Sequence, residues 1–372
     1  MGTAYTPGLK VSSGTLIRKE RRLPLKGEVV VNVGDAVDAD TVVARTDIPG
    51  VMQTVRVAET LGLQPQEALQ ALQVEKGDTV DRGQVIAKSK SFFGLLKSEC
   101  KSPHPGTVEL VSHAVGHVGI RLPSTPVEVT AYIDGKVTQI MENEGVVVET
   151  HGALVQGIFG VGGERAGDLS VCVDSPDDVL SADSITGDHA GCVVVGGSMV
   201  ELAALRKAAE LGVKGVVAGG IIDTDLIDYV GHDIGVAITG QEDVNTTLIL
   251  TEGFGVIPMA QRTFDLLKSL DGQRVSVNGA TQIRAGVIRP EIICPQERLE
   301  KPPDDAEGQI LEIGSNIRII REPHFGALGT VTALPPAPVE IKSGATVRIL
   351  EAKLADGANV SVPRANVEIL ES

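Results

Sequence analysis

Four residues near the end of the first third carry soft-metal chemistry: Cys100, His104, His113 and His117. Thiolate and imidazole are the donors zinc prefers. Their spacing is C-x3-H and then H-x3-H, and on an extended strand His113 and His117 share one side. Pro103, Pro105 and Gly116 interrupt the segment. Zinc sites with cysteine usually show a close CxxC knuckle, which is missing, so no metal site is assigned. Asp223, Asp225 and Asp228 offer carboxylates to a hard cation. The commoner role of such residues is to cap a helix and complement its dipole.

Anion chemistry points to three glycine-containing segments. Gly196-Gly197-Ser198, Gly219-Gly220 and Thr251-Glu252-Gly253 each follow an apolar run that reads as a strand. In open α/β sheets, ligands gather at the carboxyl ends of strands. Backbone N–H groups at a helix start hold anions, and Ser198 is suited to be the N-cap. With Asp223 these residues form the candidate ligand site. The competing reading is that glycine simply makes tight strand-to-helix turns, and no complete phosphate motif is present. Gly157 to Gly163 is also glycine-rich, but no periodic helix follows it directly. It reads as a turn at a domain boundary. No GxxxxGK[ST], HExxH, GxSxG or EF-hand pattern occurs, so no catalytic residue and no cofactor is assigned.

The elements that must position these groups fall into blocks. Residues 1–22 form a basic N-terminal segment, with Lys10, Arg18, Lys19, Arg21 and Arg22 against Glu20. It reads as a solvated tail or edge strand, or as a contact for an acidic partner or an acidic face of another copy. Residues 23–165 are short strands between Gly, Asp and Pro turns, interrupted by one helix over 59–72. Residues 166–300 alternate. The spacing predicts strands from Cys192, over 213–218, over 234–239 and over 246–250. It predicts helices over 199–211, 224–230 and 258–270. Such alternation predicts a mainly parallel sheet. Residues 301–307, with Pro302-Pro303-Asp304-Asp305, read as a linker, and 308–372 is again all β.

Composition sets the limits. The 372 residues are 42% hydrophobic but only 2% aromatic, with no Trp, so the cores are built from Val, Ile, Leu and Ala. The net charge of −16 repels a phosphate backbone, which disfavours general nucleic-acid binding. The four cysteines are scattered without a CxxC pair, so no disulfide framework is expected. Cys192 reads as a small core residue. No signal-peptide pattern opens the chain, and no apolar run approaches ~18 residues. The expected location is the cytoplasm, with no membrane span.

One pattern occurs twice. Residues 34–44 and 77–87 both read GDxVDxxxVxA. These repeats resemble the half-motifs of biotinyl/lipoyl-type barrel-sandwich hybrids, and Ser102-Pro103-His104-Pro105-Gly106-Thr107-Val108 resembles that family's Ser-Pro-x-x-Gly-x-Val hairpin. The resemblance implies one quasi-symmetric hybrid domain over 23–165. Carrier members place a modified lysine in Met-Lys-Met or Asp-Lys-Ala. Here Lys88-Ser89-Lys90 stands instead, and this departure from the family's signature favours a purely structural hybrid domain over a cofactor carrier.

The C-terminal block resembles a KOW motif on an SH3-like barrel. An apolar strand carrying Arg318, then Arg321, then Phe325-Gly326, then Gly329-Thr330-Val331 gives the pattern. KOW domains of ribosomal and NusG-like proteins bind RNA or protein. That implies partner contacts at Arg318, Arg321, Phe325, Gly326 and Arg364. Six Lys/Arg against seven Asp/Glu from 308 onward favour a protein partner over RNA. The two ends together resemble a bacterial family joining a barrel-sandwich hybrid to a KOW domain.

The expected fold is thus multidomain, α/β and all-β: a barrel-sandwich hybrid, a central α/β domain and an SH3-like barrel. The leading functional expectation is a non-enzymatic binding or scaffold protein that self-associates or docks on a larger assembly. The alternatives are an enzyme or small-molecule sensor using the central Gly loops, and an RNA- or ribosome/transcription-associated factor acting through the KOW domain.

Overall fold

The structure is a computed structural model. It describes residues 9–90, 97–232, 240, 242–282, 288–296, 311–321, 323–324, 326–340, 346–355 and 357–369. The expected strand over 234–239, the linker 301–307 and Phe325 lie outside the described residues. The fold is mostly β, with 46% strand and 15% helix, distributed over several sheets.

The two GDxVDxxxVxA repeats adopt the same local structure. Gly34 and Gly77 take φ of +98° and +102°, where a side chain would be strained. The following aspartate closes a turn, its carboxylate accepting from the N–H three residues earlier. Asn32 N–H bonds Asp35 Oδ2 and Glu75 N–H bonds Asp78 Oδ2, each at 2.8 Å. The next Val enters a core, Val37 in one case and Val80 in the other. Each repeat then runs into a strand, Val42–Ile48 or Val85–Lys90.

What differs is the partner of that strand. Val85–Lys90 pairs with the nearby Lys97–Lys101. Val42–Ile48 pairs with Thr125–Thr130, so that Ile48 opposes Thr125. The residues between, including the whole second repeat, are therefore an insertion at the tip of the first hairpin. The two units have separate cores. The inner core contains Val55, Val80, Ile86, Val108 and Ile120. The outer contains Ile17, Val43, Ile133, Val146 and Ile293. The expectation of one domain closed by paired repeats is corrected: the repeats are nested, and each closes its own unit.

The helix expected over 59–72 is two short helices, Val57–Leu61 and Pro65–Gln70. Gly62 caps the first in the left-handed conformation, and Pro65 starts the second.

The described part of the basic N-terminal segment is a strand at a sheet edge, one of the two expected alternatives, and not a tail. Val11–Arg22 pairs antiparallel along strand Gly145–Gln156. Its inward-facing cations meet the chain's own carboxylates. Lys19 Nζ lies 2.5 Å from Glu291, and Arg21 holds Glu164. The expected boundary at 165 falls within strand Glu164–Val171, which belongs to one continuous thirteen-stranded sheet.

In the central part, Glu164–Val171, Val193–Val195, Gly215–Ile221 and Thr247–Phe254 lie side by side and parallel. Helices Leu202–Leu211 and Asp223–Val230 cover one face through Leu205, Ala208 and Leu226. Helix Gln261–Ser269 covers the other through Phe264 and Leu267. Gly157 to Gly163 is no boundary turn: Phe159–Val161 is a buried strand paired with Leu248 to Leu250. Cys192 is half-exposed just ahead of its strand, not in the core.

The C-terminal part is a five-stranded antiparallel sheet of Asn316–Ile319, Leu328–Ala333, Ile349–Leu354, Asn359–Pro363 and Val367–Ile369. Its core of Ile317, Ile319, Val331, Leu350 and Val367 is its own.

Candidate functional site

The glycine segments do gather at the carboxyl ends of the parallel strands. The strands follow each other in chain order across the sheet, from Glu164–Val171 through Thr247–Phe254. A ligand crevice of the doubly wound kind opens where strand order reverses. These four strands contain no such reversal.

Backbone carbonyls pass within contact distance of three of these glycines. A Cβ on Gly197 would stand 2.4 Å from the carbonyl oxygen of Asp178. One on Gly219 would stand 2.2 Å from that of Ile257, and one on Gly220 2.2 Å from that of Gly255. Gly196 faces the Leu180 side chain at 2.7 Å. These glycines exist because the 175–178 and 255–257 segments pass within contact distance.

Ser198 is not a helix cap. Its hydroxyl donates to Asp177 O at 2.8 Å, Met199–Val200 continues as a strand, and the N-cap position is Glu201. Asp223 and Asp225 occupy the first turn of helix Asp223–Val230, where they complement its dipole. Among the described residues no group of His, Cys, Asp or Glu is placed to hold a metal ion. Cys100 instead packs in the inner core, and His117 lies 3.6 Å from Glu59.

Thr251-Glu252-Gly253 is part of a strand rather than a loop. Glu252 is 6% exposed. Its Oε1 accepts from Ala260 N–H at 3.0 Å, at the start of helix Gln261–Ser269, and its Oε2 accepts from Arg318. Arg318, on the C-terminal sheet, is 1% exposed and also donates to Thr251 O at 3.2 Å. A Cβ on Gly253 would lie 4.0 Å from Gly326 Cα. The candidate ligand residues and the candidate partner residues thus meet each other. Arg364 is also committed within the chain, donating to Ile349 O and Pro335 O at 3.0 and 2.9 Å. Arg321 is exposed.

A comparison with known protein families finds no matching family model, and a comparison with curated proteins finds no match.

Two further clusters carry reactive groups that sequence spacing did not join. Cys172 Sγ lies 3.6 Å from His189 Nε2. His189 Nδ1 accepts the Thr186 N–H at 3.0 Å, which leaves the ring proton on Nε2, facing the sulfur. A ring in that tautomer cannot take the thiol proton. Burial, above all, pushes the Cys172 thiol up to about 11. The pair is therefore built as a neutral contact, not as an activated nucleophile.

The second cluster surrounds Tyr132. Its backbone holds φ of +69°, which costs a non-glycine residue about 1–2 kcal/mol. Lys19 Nζ and Arg21 Cζ sit 5.9 and 5.3 Å from the ring centre, and the hydroxyl donates to Glu291 at 3.2 Å. Burial, then the nearby Glu291 and Glu164 charges, push the phenol well above its usual range. Beside it a cleft of about 410 Å³ is lined by Asp40, Glu164, Arg165, Asp168, Lys214 and Arg274. Most of these charges are engaged. Arg274 pairs with Asp40 at 2.9 Å, Glu164 with Arg21, and Arg165 donates to Val244 O at 2.6 Å. These partners lie up to 234 positions apart, beyond the reach of motif spacing.

Proposed function

We propose that this chain is a non-enzymatic binding or scaffold protein that self-associates or docks on a larger assembly. The observation that carries the reading is the close approach of the chain's own carbonyls to Gly197, Gly219 and Gly220 at the strand ends. A ligand-turnover site needs a concave space with convergent polar groups. Here the polar groups converge on one another, and the glycines serve backbone packing.

The same proposal assigns the nested units to the barrel-sandwich hybrid class and the C-terminal sheet to the SH3-like KOW class. In support, each nested unit is built from a Gly-Asp turn, a core Val and a returning hairpin, and the C-terminal five strands enclose their own core. An RNA role through Arg318 loses its main contact, because that guanidinium is buried against Glu252.

Size-exclusion chromatography with light scattering over a range of concentrations tests the proposal, together with pull-downs. A strict monomer that captures no partner would refute it. Thermal shift against nucleotides, phosphate and divalent cations tests the enzyme or sensor alternative. A saturable stabilisation by one of them would favour a small-molecule site instead.

A further inference from the structure

The Arg318–Glu252 pair joins two bodies that share neither a core nor a strand pairing. Among the described residues the five C-terminal strands pair only with one another, and the hydrophobic cluster beneath them draws only on residues 311–367. The junction itself reads a short extended segment: the carbonyl of Thr251, the carboxylate of Glu252, and the missing side chain of Gly253 against Gly326. Both charged groups are almost wholly buried when joined. Parting them would leave two uncompensated charges in a poorly solvated setting, so the docked state is strongly preferred over the separated one.

Nothing in that preference requires the two bodies to belong to one chain. Gln296 and Leu311 are connected by residues 297–310, which fully extended span up to ~50 Å. A second copy presents an identical Thr251-Glu252-Gly253. Exchange of a whole unit between identical chains remakes every native contact at small cost.

We infer that the Arg318 face of the C-terminal sheet is an exchangeable docking surface whose partner is Thr251-Glu252-Gly253 of a second copy of this chain, giving a reciprocal swapped dimer. The inference rests on the self-association reading and names its surface. It also accounts for the arginine: a β-strand residue flanked by the core side chains Ile317 and Ile319 points out of the sheet, yet is 1% exposed.

The test uses two full-length variants, Glu252→Arg and Arg318→Glu, one of them tagged. Within either chain the junction now faces like charges. Between the two chains both pairs are restored, one in the native sense and one reversed. Mixing the variants is expected to double the mass seen by light scattering, with one-to-one co-capture of the untagged chain. Neither variant alone should form this species.

The inference is overturned if the mixture keeps the single-chain mass while the double reversal in one chain restores wild-type melting. If either single variant fails to fold, tagged and untagged wild-type chains are incubated together. Co-capture that Arg318→Gln abolishes supports the inference, and absence of co-capture overturns it. A monomeric wild type with a complementing variant pair removes the self-association reading but keeps this surface. Wild-type oligomers that persist in both single variants keep the reading and overturn the surface.

Discussion

Arg21 grips Glu164 with both prongs of its guanidinium, Nη1 to Oε1 at 2.7 Å and Nη2 to Oε2 at 2.6 Å. The arginine belongs to the N-terminal strand, and the glutamate begins the first of the central parallel strands. The same guanidinium donates through Nε to Thr130 O at 2.7 Å and lies over Tyr132. One side chain thus ties together the N-terminal strand, the outer hairpin and the central sheet.

Removing it should be felt as lost stability. Arg21→Ala gives up a two-pronged charge-assisted contact that is partly screened at the Glu164 end, and should cost about 1.5–3 kcal/mol. Arg21→Lys keeps the charge but not the fork and should recover less than half of that. Denaturant melts of the three proteins decide the matter. Equal stability of Arg21→Ala and wild type would mean the pair contributes nothing.

Nesting of the repeats makes a stronger prediction. Ile48 and Thr125 oppose each other, and among the described residues the outer core draws none from the insertion. Replacing residues 49–124 by a two-residue Asn-Gly turn should leave the outer unit and the central sheet folded, since such turns join adjacent antiparallel strands. The excised piece 50–122 has its own core and adjoining ends, with Leu122 N–H bonded to Val51 O at 3.1 Å. It should fold alone. Circular dichroism and cooperative melting of both proteins are the readouts. Loss of cooperative melting in the shortened chain would show that the two units depend on each other.

The glycine argument predicts a contrast. Gly219→Ala forces a methyl group to within 2.2 Å of Ile257 O and should cost about 2–4 kcal/mol through displaced backbone. At Gly187 an added Cβ meets nothing within 4 Å, so Gly187→Ala should be neutral or stabilising by about 0.5 kcal/mol. Paired urea titrations would show it. A mild effect at Gly219 would mean that the strand-end space has room for a ligand after all.

Alkaline pH should weaken the fold. Burial pushes the Cys294 and Cys172 thiols from the ordinary 9.0 up to about 11. An unfolded chain releases these protons near pH 9 while the folded chain keeps them, so the folded state binds more protons between the two values. The stabilisation is therefore complete below pH 9 and is lost as pH rises toward 11. The shift corresponds to at most about 2.7 kcal/mol per thiol. Stability measured across that window should fall, and Cys294→Ala should flatten the slope even though it lowers the starting value. A wild-type stability that stays level to pH 11 would contradict this.

Some of this architecture is legible in the residues alone. The Gly-Asp turns of both repeats, the apolar strands after them and the helix of Asp223–Val230 are local events, fixed by turn chemistry, side-chain alternation and helix periodicity. The division of the single helix expected over 59–72 was also within local reach, through Gly62 and Pro65. The candidate site was read less well. A glycine after a strand looks the same whether it makes room for a phosphate or for a neighbouring carbonyl. Only the passage of Ile257 and Asp178 across the strand ends distinguishes the two.

The chain by itself determined that Val, Ile and Leu, in the near absence of aromatic residues, would build several β-rich cores, and that Gly34-Asp35 and Gly77-Asp78 would turn alike. Those outcomes depend on neighbours a few positions away. Which strand the first repeat would pair with, and that Arg318 would meet Glu252 rather than solvent or RNA, depended on contacts between residues 66 or more positions apart. Such contacts leave no spacing in the sequence. They are set by which surfaces can be buried together once the units have folded, and only the tertiary structure decides that.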